Sequence, residues 1–214
     1  MQIKSVKKIT NKSKRYDIEV DVNHNFFANN ILVHNCSATY FIKKMNFFRT
    51  IFGVCSRTVY KKTKDNSYYW QIAIKEDIEK KLKKARKDLN IDICIQGEII
   101  GPKIQKNKYK LTELQLYVYN VFNIKTQKYF TYYDILEFCK NYNFKMVPIV
   151  TPHFNPKDCY LNNMCVNSIV ELSKGKSAIN PKTTREGIVV RAIDGQKKLS
   201  FKVINPDFLL EHGE

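Results

Sequence analysis

The chain has 214 residues, 43% of them hydrophobic, with 37 lysines and arginines against 20 acidic residues, a formal net charge of +17 and six cysteines. That length holds one full globular domain beside a short segment, and no apolar run approaches membrane-spanning length. The cysteines form no Cys-x-x-Cys pair and come after no secretory signal, so they read as reduced thiols in a cytoplasm, and the excess charge points toward a polyanion such as nucleic acid. Residues 1–35 carry six cations against three carboxylates, a net +3, which leaves +14 on residues 36–214. A segment of that size cannot bury enough surface to fold alone. From residue 36, Cys-Ser-Ala-Thr-Tyr-Phe-Ile alternates as a strand does, and 52–57 predicts a second strand ending in Arg57. Residues 68–89 predict one helix, with Ile72, Ile78 and Leu82 apolar and the lysine run at 80–84 facing solvent. A strand over 91–100 ends at Gly101-Pro102, an aromatic strand covers 114–124, a helix covers 132–141, and 148–156 is a connector. A helix over 163–172 and a hairpin of 187–193 with 199–204, joined by Asp194-Gly195, complete the chain.

Residue types that break and remake peptide bonds gather before residue 37. His34, Asn35 and Cys36 are consecutive, and His24 lies in an Asn-His-Asn-Phe turn after the Tyr-Asp-Ile stretch that holds Asp17. An asparagine amide can attack its own backbone carbonyl and close a succinimide, releasing the downstream chain, but amide resonance resists this without help. His34 can protonate the departing amide, and His24 is a second acid/base with a pKa near neutrality. Asp17 can orient a histidine or tune the thiol, and Cys36, as thiolate, can take an acyl group from an upstream junction before Asn35 cyclises. This pattern, Tyr-Asp-Ile-x-Val through His-x-Phe to His-Asn-Cys, resembles the last two sequence blocks of inteins, and the opening Met-Gln-Ile-Lys-Ser-Val-Lys-Lys resembles a naturally split C-intein. The resemblance implies that residues 1–35 are an all-β split-intein segment that folds on binding an acidic N-terminal partner, and that residues 36–214 are its cargo. It implies no cofactor for splicing.

Within residues 36–214, four islands stand in a fixed order: Gln96-Gly97-Glu98-Ile99-Ile100-Gly101, Leu116-Tyr117-Val118-Tyr119-Asn120-Val121, Glu186-Gly187-Ile188-Val189-Val190-Arg191 and Ser200-Phe201-Lys202-Val203-Ile204-Asn205. They resemble motifs III, IIIa, IV and V of covalent nucleotidyltransferases, and most closely those of ATP-dependent, nick-sealing RNA ligases. The resemblance implies an α+β domain of antiparallel sheets with flanking helices, of the ATP-grasp-like ligase kind. It implies that Glu98 binds the ribose hydroxyls, that Tyr119, with Tyr117 as the alternative, stacks on adenine, and that Lys202 neutralises the α-phosphate. By the same resemblance Glu186 holds magnesium or manganese or the attacking lysine, while Arg57 and Arg191 contact phosphate or the RNA end. Position 204 is Ile where related enzymes often carry a second motif V lysine, so Lys197 or Lys198 is left to supply that contact.

The family's nucleophile, the lysine of a Lys-x-Asp-Gly often succeeded by a Ser-Ala-Thr-like strand, is absent from this sequence, and Ser37-Ala38-Thr39 come directly after the junction. The partner is therefore expected to bring Lys-x-Asp-Gly, so that splicing completes the site. The product would use ATP and a divalent metal to seal 3′-hydroxyl and 5′-phosphate ends of RNA, most simply in a nicked duplex and without a membrane, in the cytoplasm of a bacterium or a phage-infected cell. An OB domain after motif V, usual in DNA ligases and capping enzymes, has no counterpart here, which favours RNA. The alternatives are a DNA ligase, or a basic nucleic-acid-binding module without catalysis while the chain is unspliced.

Overall fold

The computed structural model describes residues 3–9, 15–20, 25–28, 31–34, 37–46, 49–57, 59–62, 64–150, 165–194 and 200–212. The N-terminal strands form two antiparallel hairpins, β1 (Ile3–Ile9) with β2 (Arg15–Val20) and β3 (Asn25–Ala28) with β4 (Ile31–His34).

The main body is an antiparallel sheet whose strands stand in the order β6 (Thr50–Cys55), β5 (Ser37–Lys44), β7 (Ile93–Ile100), β8 (Gln115–Asn123), β9 (Lys128–Tyr129). Period-2 alternation sends Ala38, Tyr40 and Ile42 of β5 and Ile93, Ile95 and Ile99 of β7 to one face, where all are buried. The helices α1 (Tyr68–Lys75) and α2 (Ile78–Leu89) cover that face with Trp70, Ile72, Ala73, Ile78, Leu82 and Ala85. The Tyr40 phenol enters this core because its hydroxyl donates to the Tyr69 carbonyl at 2.9 Å. Burying Leu82 alone contributes about 1.5–3 kcal/mol.

The single helix expected over 68–89 is two helices. Ile72 and Ala73 are out of phase with Ile78 and Leu82 on a 3.6-residue period, so one continuous helix could not bury both sets. Asp77, in the left-handed region at φ 51°, resets the phase, and the preceding Glu76 carboxylate accepts the Leu116 backbone N–H of β8 at 3.2 Å.

Helix α3 (Tyr132–Asn141) opens on a capping box between Thr131 and Asp134 and packs Ile135, Phe138 and Cys139 beside β8. A second layer consists of the hairpin β10 (Gly187–Arg191) with β11 (Ser200–Ile204), on which α4 (Cys165–Ser173) packs. A final helix, α5 (Pro206–His212), was not expected from the sequence. Its signal lies in Asn205-Pro206-Asp207: the Asn205 side chain accepts the Asp207 N–H at 3.0 Å, and a proline fits the first helical position. Among the described residues, no helix is long and apolar enough to cross a membrane.

Candidate nucleotide site

The sheet face opposite the helices carries the polar set. On β7 the same alternation that buries Ile95 and Ile99 turns Gln96 and Glu98 to this other face. Gly97 lies between them, and a Cβ there would stand 2.7 Å from both the Leu116 side chain and the Tyr117 carbonyl. The β7–β8 register shifts at this point, from Gln96 opposite Asn120 to Gly97 opposite Val118. Tyr119 is the extra residue of the bulge, so Tyr119 and Asn120, though consecutive, both leave the core side, where Val118 and Val121 remain buried. A bulge re-aims a side chain in this way at the cost of one unpaired position.

Three strands converge on Glu98. Ser37, its register partner at the start of β5, donates its hydroxyl to the Glu98 carboxylate at 3.0 Å. The Ser37 hydroxyl is also hydrogen-bonded to Tyr119, whose phenol is held above its usual pKa by burial, with the Glu98 charge adding to the rise and Ser37 and Arg191 opposing it. Arg191, at the end of β10, places its guanidinium 4.8 Å from the Tyr119 ring centre and donates to the Tyr119 carbonyl at 3.2 Å and the Asn120 side chain at 2.8 Å. Asn120 in turn donates to Gln96 at 2.9 Å. Arg191 is thus bound into the Tyr119 platform. Tyr117, the alternative aromatic, directs its hydroxyl to Gln115 at 3.0 Å.

The second cluster lies at the base of the β10–β11 hairpin. Lys202 and Glu186 form an ion pair at 2.5 Å, with the Glu186 side chain 15% exposed and that of Lys202 32%. Fully buried Asn205 brackets the carboxylate residue: its backbone N–H donates to the Glu186 carbonyl and its side chain to the Arg185 carbonyl, both at 2.9 Å. Gly187, at φ 153°, sits where a Cβ would lie 2.2 Å from the Val203 carbonyl, so only glycine closes the two strands this tightly.

Tyr109 connects the clusters. Burial, then the negative charges of Glu186 and Glu98, hold its phenol above the ordinary range, so the hairpin carboxylate and the sheet carboxylate both act on one phenol. Its backbone carbonyl accepts from Asn180 at 2.9 Å. Ser37, Tyr109, Asn120 and Asn205 were not singled out in the sequence. Each is a common polar residue whose placement depends on strand register or on a contact far along the chain.

Arg57 is exposed in the bend after β6, two residues past the strand it was expected to end, at the end of the sheet where β5 begins. Asp17 lies on β2 opposite Lys7, and His34 on β4 opposite Asn25. His24, Asn35, Cys36, Lys197 and Lys198 lie outside the described residues. Among the described residues no group of three or more His, Cys, Asp or Glu side chains could hold a metal ion. A single carboxylate such as Glu186 suits a magnesium- or manganese-type ion that keeps water and nucleotide phosphates as its other ligands.

The model of the RNA ligase family matches residues 33–204. The chain belongs to the RNA ligase family. Among solved structures it resembles the Naegleria gruberi RNA ligase, both an arginine-to-alanine variant with ATP and Mn and a form with PPi, each with a TM-score of 0.67 and 27% identity over 84% of this chain and 49% of that one. A lysine-to-methionine variant of the same ligase with AMP and Mn gives a TM-score of 0.66 at 26% identity, with the same coverage. The chain therefore spans about half the length of these solved relatives. A further likeness, 45% identity over 62 residues, joins it to a DNA polymerase of Thermococcus hydrothermalis, covering 29% of this chain and 3% of the polymerase.

Proposed function

We propose that this chain is the C-terminal half of a split precursor: residues 1–35 act as a split-intein segment, and residues 36–214 become, after trans-splicing, the nucleotide-binding body of an ATP-dependent RNA ligase. The observation that carries the ligase reading is the convergence of Ser37, Glu98, Tyr119 and Arg191 on one sheet face, with the Glu186–Lys202 pair joined to them through Tyr109. The splicing reading rests on His34-Asn35-Cys36 with His24 and Asp17 upstream, on a family match that begins at residue 33, and on the missing Lys-x-Asp-Gly.

In splicing, the Cys36 thiolate takes the acyl group of the partner's extein from its upstream junction. The Asn35 amide nitrogen then attacks its own carbonyl, closing a succinimide, while His34 protonates the departing Cys36 nitrogen. The freed amine of Cys36 finally displaces its own thioester, which leaves a peptide bond. In the product, the Tyr119 ring, backed by Arg191, provides the adenine platform and Glu98, aligned by Ser37, accepts from the ribose hydroxyls. Lys202 leaves Glu186 to neutralise the α-phosphate as the partner-derived lysine attacks it and pyrophosphate departs. Glu186, released from that pair, can hold a magnesium or manganese ion, which when bound supplies charge neutralisation on the phosphates. Arg57 contacts the RNA end. AMP then passes to a 5′-phosphate, and a 3′-hydroxyl attacks that phosphate, sealing the strand and releasing AMP.

Intact mass spectrometry of the chain mixed with its N-terminal half tests the first step. The expected product joins the partner's extein to residues 36–214 and is absent with the Asn35→Ala, Cys36→Ala double variant. A partner that binds with no change of mass would refute active splicing. Labelled ATP tests the second step, because the spliced product should acquire a lysyl-AMP adduct. A DNA ligase would instead require DNA on the 3′-hydroxyl side of the nick.

A further inference from the structure

Two segments stand apart by charge. Residues 101–111 hold Lys103, Lys106, Lys108 and Lys110, and residues 174–185 hold Lys174, Lys176, Lys182 and Arg185, with no acidic residue in either. They are far apart in sequence and meet in the fold, where the Asn180 side chain donates to the Tyr109 carbonyl at 2.9 Å. Lys110 and Lys176, one from each loop, both act electrostatically on Glu211 of α5. Lys108 lies over the Phe208 ring at 4.9 Å, Lys174 is paired with Glu171 at 2.6 Å, and Arg185 turns inward to the Leu172 carbonyl. Lys103, Lys106, Lys110, Lys176 and Lys182 are exposed.

The first loop is held in shape. Lys103, Gln105, Lys106, Asn107 and Lys110 all have φ between 45° and 64°, a conformation disfavoured for residues with a Cβ. Asn107 fixes it from both sides, donating to the Leu111 carbonyl at 2.8 Å and accepting the Leu111 N–H at 2.9 Å, while buried Ile104 anchors its middle. Like charges crowded onto a strained loop repel one another, and an approaching row of phosphates relieves that repulsion and releases counterions. Tyr109, in the middle of this lysine run, is also the residue whose phenol feels the charges of Glu186 and Glu98, which relates the ridge to the candidate nucleotide site.

We propose that loops 101–111 and 174–185 form one phosphate-binding ridge that receives the backbone of an RNA strand beside the nucleotide site. The proposal rests on the ligase reading for the strand's identity. Glu171, paired with Lys174, and Glu211, whose carboxyl the Thr184 hydrogen bond lowers from its ordinary pKa, are carboxylates at the ridge, and their charge limits how closely phosphate approaches those positions.

The test is binding of a fluorescent nicked RNA duplex to the full 214-residue chain across a salt series. The variant carries Lys103→Ala, Lys106→Ala, Lys110→Ala, Lys176→Ala and Lys182→Ala together. The expected result is at least a tenfold weaker affinity at about 0.1 M salt and a log–log salt slope shallower by about 3 to 4.5, since three to five lost phosphate contacts contribute about 0.9 each on B-form DNA. ATP affinity and melting temperature should remain those of the parent, and the matching Lys→Arg variant should restore binding. A control of equal kind, Lys80→Ala, Lys83→Ala and Lys84→Ala on the outer face of α2, should change the slope by less than about 1. An equal loss in that control would overturn the proposal, as would unchanged RNA binding in the ridge variant or equally tight binding of polyglutamate in place of RNA. Loss of lysyl-AMP formation in the spliced product with ridge-dependent RNA binding intact would remove the ligase reading and leave the ridge standing.

Discussion

Replacing Ser37 by Ala removes one hydroxyl from the point where three strands meet at Glu98. The lost bond is 3.0 Å long and ends on a carboxylate, and hydrogen bonds to charged groups contribute about 1.5–3 kcal/mol. Both residues are half-buried, so water can replace part of it and the lower figure applies. The same hydroxyl is bonded to Tyr119, so the substitution loosens the carboxylate and the aromatic platform together. At about 1.4 kcal/mol per factor of ten, ATP should bind Ser37→Ala roughly tenfold more weakly than the parent. Calorimetric titration of the 214-residue chain with ATP measures this, with melting temperature monitored in parallel. Ser37→Thr keeps the hydroxyl and should lie within about threefold of the parent. If Ser37→Ala binds ATP as tightly as the parent while Glu98→Gln binds it weakly, Ser37 does not orient Glu98. If neither substitution alters ATP affinity, the nucleotide does not occupy this face.

Gly187→Ala should destabilise the fold by about 2–3 kcal/mol and weaken ATP binding, because its Cβ meets the Val203 carbonyl at 2.2 Å and the hairpin must separate; an unchanged urea midpoint would contradict that pairing. Leu82→Ala should cost about 2–5 kcal/mol in urea unfolding with ATP binding retained below the transition, since Leu82 is fully buried on the face away from the site. Stability should fall as pH rises above 9: burial raises the Cys94 and Cys139 thiols from 9.0 to about 12, so between those values the unfolded chain ionises while the folded chain stays neutral. Urea midpoints at pH 8 and pH 10.5 would show the loss, and equal midpoints would contradict it. The unspliced chain incubated with labelled ATP and Mn should form no covalent adduct, because the sequence lacks Lys-x-Asp-Gly; an adduct detected by mass would refute that reading.

Regular alternation made β5, β7, β8 and the capped helix α3 legible in the sequence, because each has one buried face whose apolar residues recur at a fixed period. The break at Asp77 was hidden because 68–89 contains no glycine or proline, and only the phase slip between Ala73 and Ile78 marks it. The bulge was hidden for a different reason. Leu116, Val118 and Tyr119-Asn120-Val121 read as a plain strand, and the extra residue appears only in the pairing with β7, where Gly97 lies close to Leu116. The site residues Glu98, Tyr119, Glu186, Lys202 and Arg191 stood out by motif, but their mutual arrangement depends on Ser37, Tyr109 and Asn205. Those three act through contacts 61, 71 and 20 positions along the chain, which no local pattern encodes.

The position of Ser37 gives the proposed splice junction a physical meaning. Strand β5 begins at Ser37, and Ser37 already touches Glu98 and Tyr119, so whatever is joined to Cys36 enters directly beside the nucleotide face. A Lys-x-Asp-Gly ending at that bond places its lysine five residues before Ser37, within about 17 Å even if the chain were fully extended. A turn at the glycine shortens this, so on the proposed reading the nucleophile would enter close to the Glu98 and Tyr119 side chains. On the proposed reading, the N-terminal segment would take the place of that lysine before splicing, and the unspliced chain would offer a nucleotide face with no nucleophile. Splicing would then join two polypeptides and supply the reacting group in one event. Ligase activity could not precede assembly, because the lysine and its binding face would meet only across the bond that splicing makes.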